Sequence, residues 1–125
     1  MNQYLNLAGR ILLALIFIVS GVGKLSSVAG TMEYMQAMGV PAILLWPTIA
    51  FEILGGLALV AGYKTRPVAL AFAGFCVLSA LLFHRNFGDQ TQTIMFLKNL
   101  AMAGGFLLLA STGATAYAVD RPART

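Results

Sequence analysis

Charge is scarce in this 125-residue chain: eight Lys and Arg and four Asp and Glu make up 10% of it, against about 25% in soluble domains. Hydrophobic residues reach 59%, and the two figures together exclude an ordinary soluble domain and point to a membrane chain. A single cysteine, Cys76, excludes an intrachain disulfide, a C-x-x-C redox pair and a thiolate cluster. The single histidine, His84, has no second strong ligand beside it, so neither a metal site nor haem is expected. The formal charge of +4 comes from basic residues scattered singly among apolar segments. They form no stripe able to follow a phosphate backbone, and nucleic acid is not an expected partner. A phosphate-binding loop is missing too. The stretch S-G-V-G-K-L-S-S (20–27) sets glycines before a lysine, but G-x-x-x-x-G-K-[ST] would need glycine at Ile18 and a hydroxyl at Leu25.

What is present is hydrocarbon in four runs, at about 5–25, 41–61, 67–84 and 94–111, each near the roughly 20 residues that cross a bilayer. Gly39-Val40-Pro41, the stretch Gly62 to Pro67, and His84 to Thr93 break the chain between them. The expected fold is therefore all-α: one transmembrane domain over 1–125, an antiparallel four-helix bundle running up-down-up-down, with 112–125 as a short tail. A cleaved signal peptide fits the first run poorly. Ser27-Val28-Ala29 has the look of a cleavage site, yet Arg10 is the only early positive charge and Lys24 interrupts the approach. Four crossings put both ends on one side with Lys64, Arg66, Arg121 and Arg124, and the positive-inside tendency makes that side cytoplasmic. Lys24, Glu33, Arg85, Asp89 and Lys98 fall toward the other side. Tyr4, Trp46, Tyr63 and Tyr117 stand near span ends, where amphipathic rings meet the headgroup layer.

Arg10 and Lys24 are fourteen residues apart, about 21 Å along a helix, so at least one enters a hydrocarbon layer about 30 Å thick. Snorkelling of the two stems in opposite directions is one account. The other is that Arg10, Leu13, Ala14, Phe17, Ser20, Gly21 and Lys24 form one helical stripe, whose small and polar members suit packing against protein. Glu52 lies midway along the second run and is too short to snorkel; an acid there costs roughly 2.5–3.5 kcal/mol on insertion scales. It needs a partner or a proton, and Gly55 and Gly56 beside it let another helix press close. The third run has a small face at Ala69, Ala73, Cys76 and Ala80 and ends at His84; the fourth sets Lys98 and Asn99 on a stripe with Met95, Met102 and Gly105. By rise per residue, Lys24, His84 and Lys98 approach from the outer side, with Glu52 about 10 Å deeper and within reach of Lys98. A net-positive polar pocket opening outward is expected, suited to an anion or a carbonyl oxygen. The plainer alternative is a neutral Glu52 that merely hydrogen-bonds a neighbouring helix.

Arg10, F-I-V-S-G-V-G-K-L (17–25), G-V-P (39–41), F-E-I-L-G-G-L (51–57), G-Y-K-T-R (62–66), His84 and F-L-K-N-L-A-M-A-G-G (96–105), in this order and spacing, resemble the DoxX family of small integral membrane proteins. The resemblance covers nearly the whole chain. It implies a four-helix inner-membrane protein related to the membrane subunit of thiosulfate:quinone oxidoreductases, and elsewhere an accessory of membrane redox assemblies. It does not imply that every member catalyses a reaction. By motif position, Arg10, Lys24, Glu52, Arg66, His84, Lys98 and Asn99 carry over as family-like residues.

Three functions compete on this footing. The first is a redox subunit that binds quinone in the bundle and passes it electrons from a donor such as a sulfur species, with a redox protein as partner. Glu52, His84 and Lys98 are then the catalytic candidates, Glu52 relaying a proton, and Arg10, Ser20, Lys24 and Asn99 the quinone-binding ones. The second is a path for a small anion or metabolite, although no span carries a mid-membrane break of the broken-helix kind. The third is an assembly protein whose small-residue faces bind another membrane protein or a second copy, with the polar interior fixing helix register.

Overall fold

The computed structural model describes residues 2–84, 86–114 and 118–120, and among them all regular structure is helical. Arg85, Tyr117, Arg121 and Arg124 lie outside the described residues. The elements are α1 (Asn2–Leu25), α2 (Val28–Ala37), a 3₁₀ turn (Ala42–Leu44) leading into α3 (Leu45–Ala61), α4 (Thr65–Phe83) and α5 (Gln90–Thr112). Four of these segments, α1, α3 with its 3₁₀ turn, α4 and α5, are long and apolar enough to cross a bilayer. The short connections make successive spans antiparallel.

Local chemistry sets the ends. Helix α3 stops where Gly62 takes the left-handed conformation (φ 72°), and the Gly62 and Tyr63 N–H groups close back onto the carbonyls of Leu59 and Ala58. A side chain there would be strained. Helix α4 starts two residues before Pro67, which falls in the first turn, where a missing N–H costs nothing. Helix α5 begins at Gln90 rather than 94 because Asp89 caps it, its carboxylate accepting from Thr91 N at 2.9 Å. Helix α2 stands inside what the hydropathy leaves as a connection. Its Val28, Met32 and Met35 share one face and pack on Val40, Leu45 and Ile49 at the start of α3.

Helix α1 packs along α3, and α4 along α5. An aromatic cluster joins the two pairs. Phe72 of α4, with no exposed surface, stacks on Phe106 of α5 at 5.1 Å and meets Phe17 of α1 and Phe51 of α3 at 4.5 Å each. The cluster divides the molecule into two halves, one holding the chain ends and the other holding α2. The expected stripe on α1 does face protein: Arg10, Ala14, Phe17 and Gly21 are buried. So are Ala69, Ala73, Cys76 and Ala80 on α4.

Candidate functional site

Lys24 and Glu52 meet because α1 and α3 approach closely. A Cβ at Gly21 would stand 2.6 Å from Ile53 Cγ1, and one at Gly56 2.6 Å from Ile18 Cγ1, so only glycine fits at either place. Across this seam the Lys24 ammonium donates to Glu52 Oε1, forming an ion pair, and to Ser20 Oγ at 3.0 Å. Glu52 is 2% exposed. A buried carboxylate without a counter-charge is costly; a lysine in contact, itself hydrogen-bonded, supplies that counter-charge. The polar partner that a mid-span acid requires is thus Lys24 of α1.

The pair lines a cavity of about 380 Å³ in the half of the bundle away from the chain ends. Its walls are mostly apolar, with Phe17, Phe75, Leu78 and Leu82 among them, and α2 contributes Thr31, Tyr34 and Met35. Tyr34 stacks on Phe83 at 5.4 Å between ring centres, tying α2 to the end of α4. The cavity reaches Phe17 and Phe75, members of the aromatic cluster, and none of its lining comes from the chain-end half. Volume and lining are those of a site for a mainly apolar ligand oriented by a few polar groups. His84 lines it too, with Nδ1 3.0 Å from Gln92 Oε1. The contact fixes the plane of the imidazole ring at the end of α4.

Of the seven candidate catalytic and quinone-binding residues, Ser20, Lys24, Glu52, His84 and Asn99 come together in this cavity. Asn99 also donates to Met95 O at 3.1 Å. Two do not join them. Lys98 is exposed and outside the lining: Met95, Asn99 and Met102 share the inward face of α5, and Lys98 falls one residue, about 100°, away from it. Its expected reach to Glu52 is therefore corrected, the contact being made by Lys24. Arg10 lies in the other half. The expected net-positive lining is corrected as well, since Lys24 and Glu52 cancel.

Arg10 instead serves the chain-end half. It is fully buried, donating from Nε to Asn6 Oδ1 (3.0 Å) and from Nη1 to the carbonyls of Leu59 (3.3 Å) and Val60 (3.2 Å), the last turn of α3. Residues 118–120 fold over the α3–α4 turn, with Val119 N and Asp120 N bonded to the carbonyls of Ala61 and Gly62. The Asp120 carboxylate accepts from Lys64 N and Thr65 N at 2.7 Å each, capping α4 from across the chain. Burial opposes its charge, but the hydrogen bonds from Thr65 and Lys64 and the field of Arg10 outweigh that and hold its carboxyl below the usual carboxylate range. Asn6 Nδ2 reaches Gly113 O (3.0 Å) and Arg66 reaches Thr112 O (3.4 Å), fastening the end of α5 to the same cluster.

Residues 5–85 match the DoxX family model. The chain belongs to the DoxX family. The matched DoxX segment holds Arg10, Lys24, Glu52 and His84, and thus both polar clusters' central residues. Among relatives, inner membrane protein YqjF of Escherichia coli (strain K12) is 51% identical over 115 residues, 92% of this chain and 88% of its own. Inner membrane protein YphA of the same strain is 38% identical, over 94% of this chain and 89% of its own. A protein of Bacillus subtilis (strain 168) named "Putative oxidoreductase CatD" is 31% identical over 64 residues, 51% of this chain and 48% of its own. No solved structure matches. Sequence reasoning had not assigned α2 or Tyr34 to this DoxX-type cavity, nor Gln92 as the partner of His84; the spacing of Val28, Met32 and Met35 on one helical face is the signal that finds α2.

Proposed function

We propose that this DoxX-type protein resides in the bacterial inner membrane with both termini cytoplasmic, and that it acts as a quinone-associated subunit or accessory of a membrane redox system. The observation that carries the reading is the Lys24–Glu52 pair lining an otherwise apolar cavity of about 380 Å³. Apolar walls suit a ring and the start of an isoprenoid tail, and the pair supplies charge and hydrogen bonds where the ring oxygens change charge. Names of relatives add support: two are called inner membrane proteins and one carries the name "Putative oxidoreductase CatD".

Reducing a quinone takes two electrons and two protons. Lys24 would donate a hydrogen bond to the oxygen on which charge builds up, and Glu52 would pass a proton along the pair. His84, held by Gln92, is placed to exchange protons at the end of α4. Electrons would come from a partner protein or a sulfur donor, because the one cysteine, Cys76, is buried among apolar side chains. A through-path for an anion is favoured less, because the cavity stops at the aromatic cluster.

Titration of a short-chain ubiquinone or menaquinone analogue into purified protein tests this. Saturable binding that survives Lys98→Ala and is lost in Lys24→Met is the expected result; absence of saturable binding removes the reading. Reporter fusions at either terminus that are active only outside the cytoplasm should stay silent if the orientation is right.

A further inference from the structure

The chemistry left over at the ion pair says which form of ligand it suits. An ammonium has three N–H donors, and in Lys24 two are taken, by Ser20 Oγ and by Glu52 Oε1. The third is unused, on a side chain 26% exposed that lines the cavity. A carboxylate has two oxygens, and Glu52 Oε2 accepts no hydrogen bond among the described residues although the side chain is 3% exposed. Oε2 keeps surface toward the cavity that Glu52 lines, where a ligand's donor can reach it. The pair therefore offers the cavity one donor and one acceptor, joined through the same salt bridge.

A quinone carbonyl answers half of this: its oxygen takes the Lys24 proton, but it has nothing to give Glu52. A phenolic hydroxyl answers both, accepting from Lys24 and donating to Glu52 Oε2. The geometry points to a site selective for a hydroxyl group, so that the cavity holds the reduced, quinol form in preference to the quinone. This deepens the quinone-linked reading above and rests on it. It also has a direction. Tighter binding of the reduced form raises the potential of the bound couple, by about 30 mV for each tenfold in a two-electron couple, so the site draws electrons onto the quinone.

The test compares three probes on the wild-type protein: decyl-ubiquinol, decyl-ubiquinone, and the 1,4-dimethyl ether of the quinol, which keeps the acceptor oxygens and lacks the donors. The quinol is expected to bind about tenfold more tightly than either of the others, the scale of one net hydrogen bond to a charged group. Glu52→Gln should cut that preference, because the amide is a weaker, neutral acceptor; should this variant fail to fold, the wild-type comparison decides alone. Equal binding of quinol, quinone and ether overturns the hydroxyl selectivity and leaves the quinone-linked reading standing. Binding of none of them overturns both.

Discussion

Helix α1 carries two cations into the bundle, and the structure treats them oppositely. Arg10 is sealed: two carbonyls of α3, Asn6 and the field of Asp120 surround a guanidinium with no exposed surface. Lys24, fourteen residues on, has one strong partner, a spare N–H and a cavity in front of it. Both are polar groups under hydrocarbon, but only one retains unmet hydrogen-bonding capacity. The difference separates an ion whose hydrogen bonds are spent on the fold from one that still has a donor to offer. Buried polarity alone does not mark a site; unspent polarity facing empty volume does.

The sealed half is most vulnerable at Arg10. Arg10→Met would strand the Leu59 and Val60 carbonyls and remove the charge beside Asp120, costing about 3 kcal/mol, read as thermal unfolding in detergent. A loss below about 1 kcal/mol would mean that water replaces the guanidinium, and the chain-end half would then be no more sealed than the other. Gly62→Ala comes next. A Cβ at this left-handed residue would stand 2.2 Å from Ala118 Cβ and 2.6 Å from Arg10 Nη1. Strain and displacement of residues 118–120 together should cost about 2 kcal/mol. The added sign is faster amide exchange at Val119 and Asp120.

At the cavity, Lys24→Met should cost less, about 1.5 kcal/mol, because Lys24 is partly exposed and Glu52 faces a cavity that water can enter. Adding Glu52→Leu should restore most of that stability while leaving ligand binding abolished. No equivalent rescue exists at Arg10, which holds the backbone carbonyls of Leu59 and Val60, groups that no substitution removes. A double variant as unstable as the sum of its parts would show that Lys24–Glu52 is as architectural as Arg10.

How much of this the sequence discloses follows the same division. Four apolar runs become four long helices because bilayer thickness dictates their length, a constraint that needs no tertiary knowledge. That Glu52 must have a partner is equally legible, since depth alone makes an unpaired acid costly. Which partner is not. Lys24 and Lys98 both stood at a plausible height, and the choice is made by Gly21 and Gly56, which press α1 onto α3, and by one residue of helical phase on α5. Height along a helix is read from residue count; the azimuth between helices comes from packing that no single span encodes. Arg10 shows the same limit. Its stripe was readable, but not the return of residues 118–120 from the far end of the chain to the α3–α4 turn.

Acid acts on the chain-end half more gently than these substitutions do. The folded-state pKa of Asp120 lies below its unfolded value, so the group contributes stability above about pH 4, the ordinary aspartate value, and that contribution is lost as pH falls through the folded pKa. Acidification from pH 6 to pH 3 should therefore lower the melting temperature of the wild type more than that of Asp120→Asn. At pH 6 the variant should be weaker by no more than about 1 kcal/mol, the scale of a helix cap, because asparagine still accepts from one of the two N–H groups. Arg10→Met should flatten the same acid limb, since the guanidinium is one of the groups holding the carboxylate charged. A limb that persists unchanged in Asp120→Asn would assign the acid sensitivity to a carboxylate elsewhere and detach it from the sealed end.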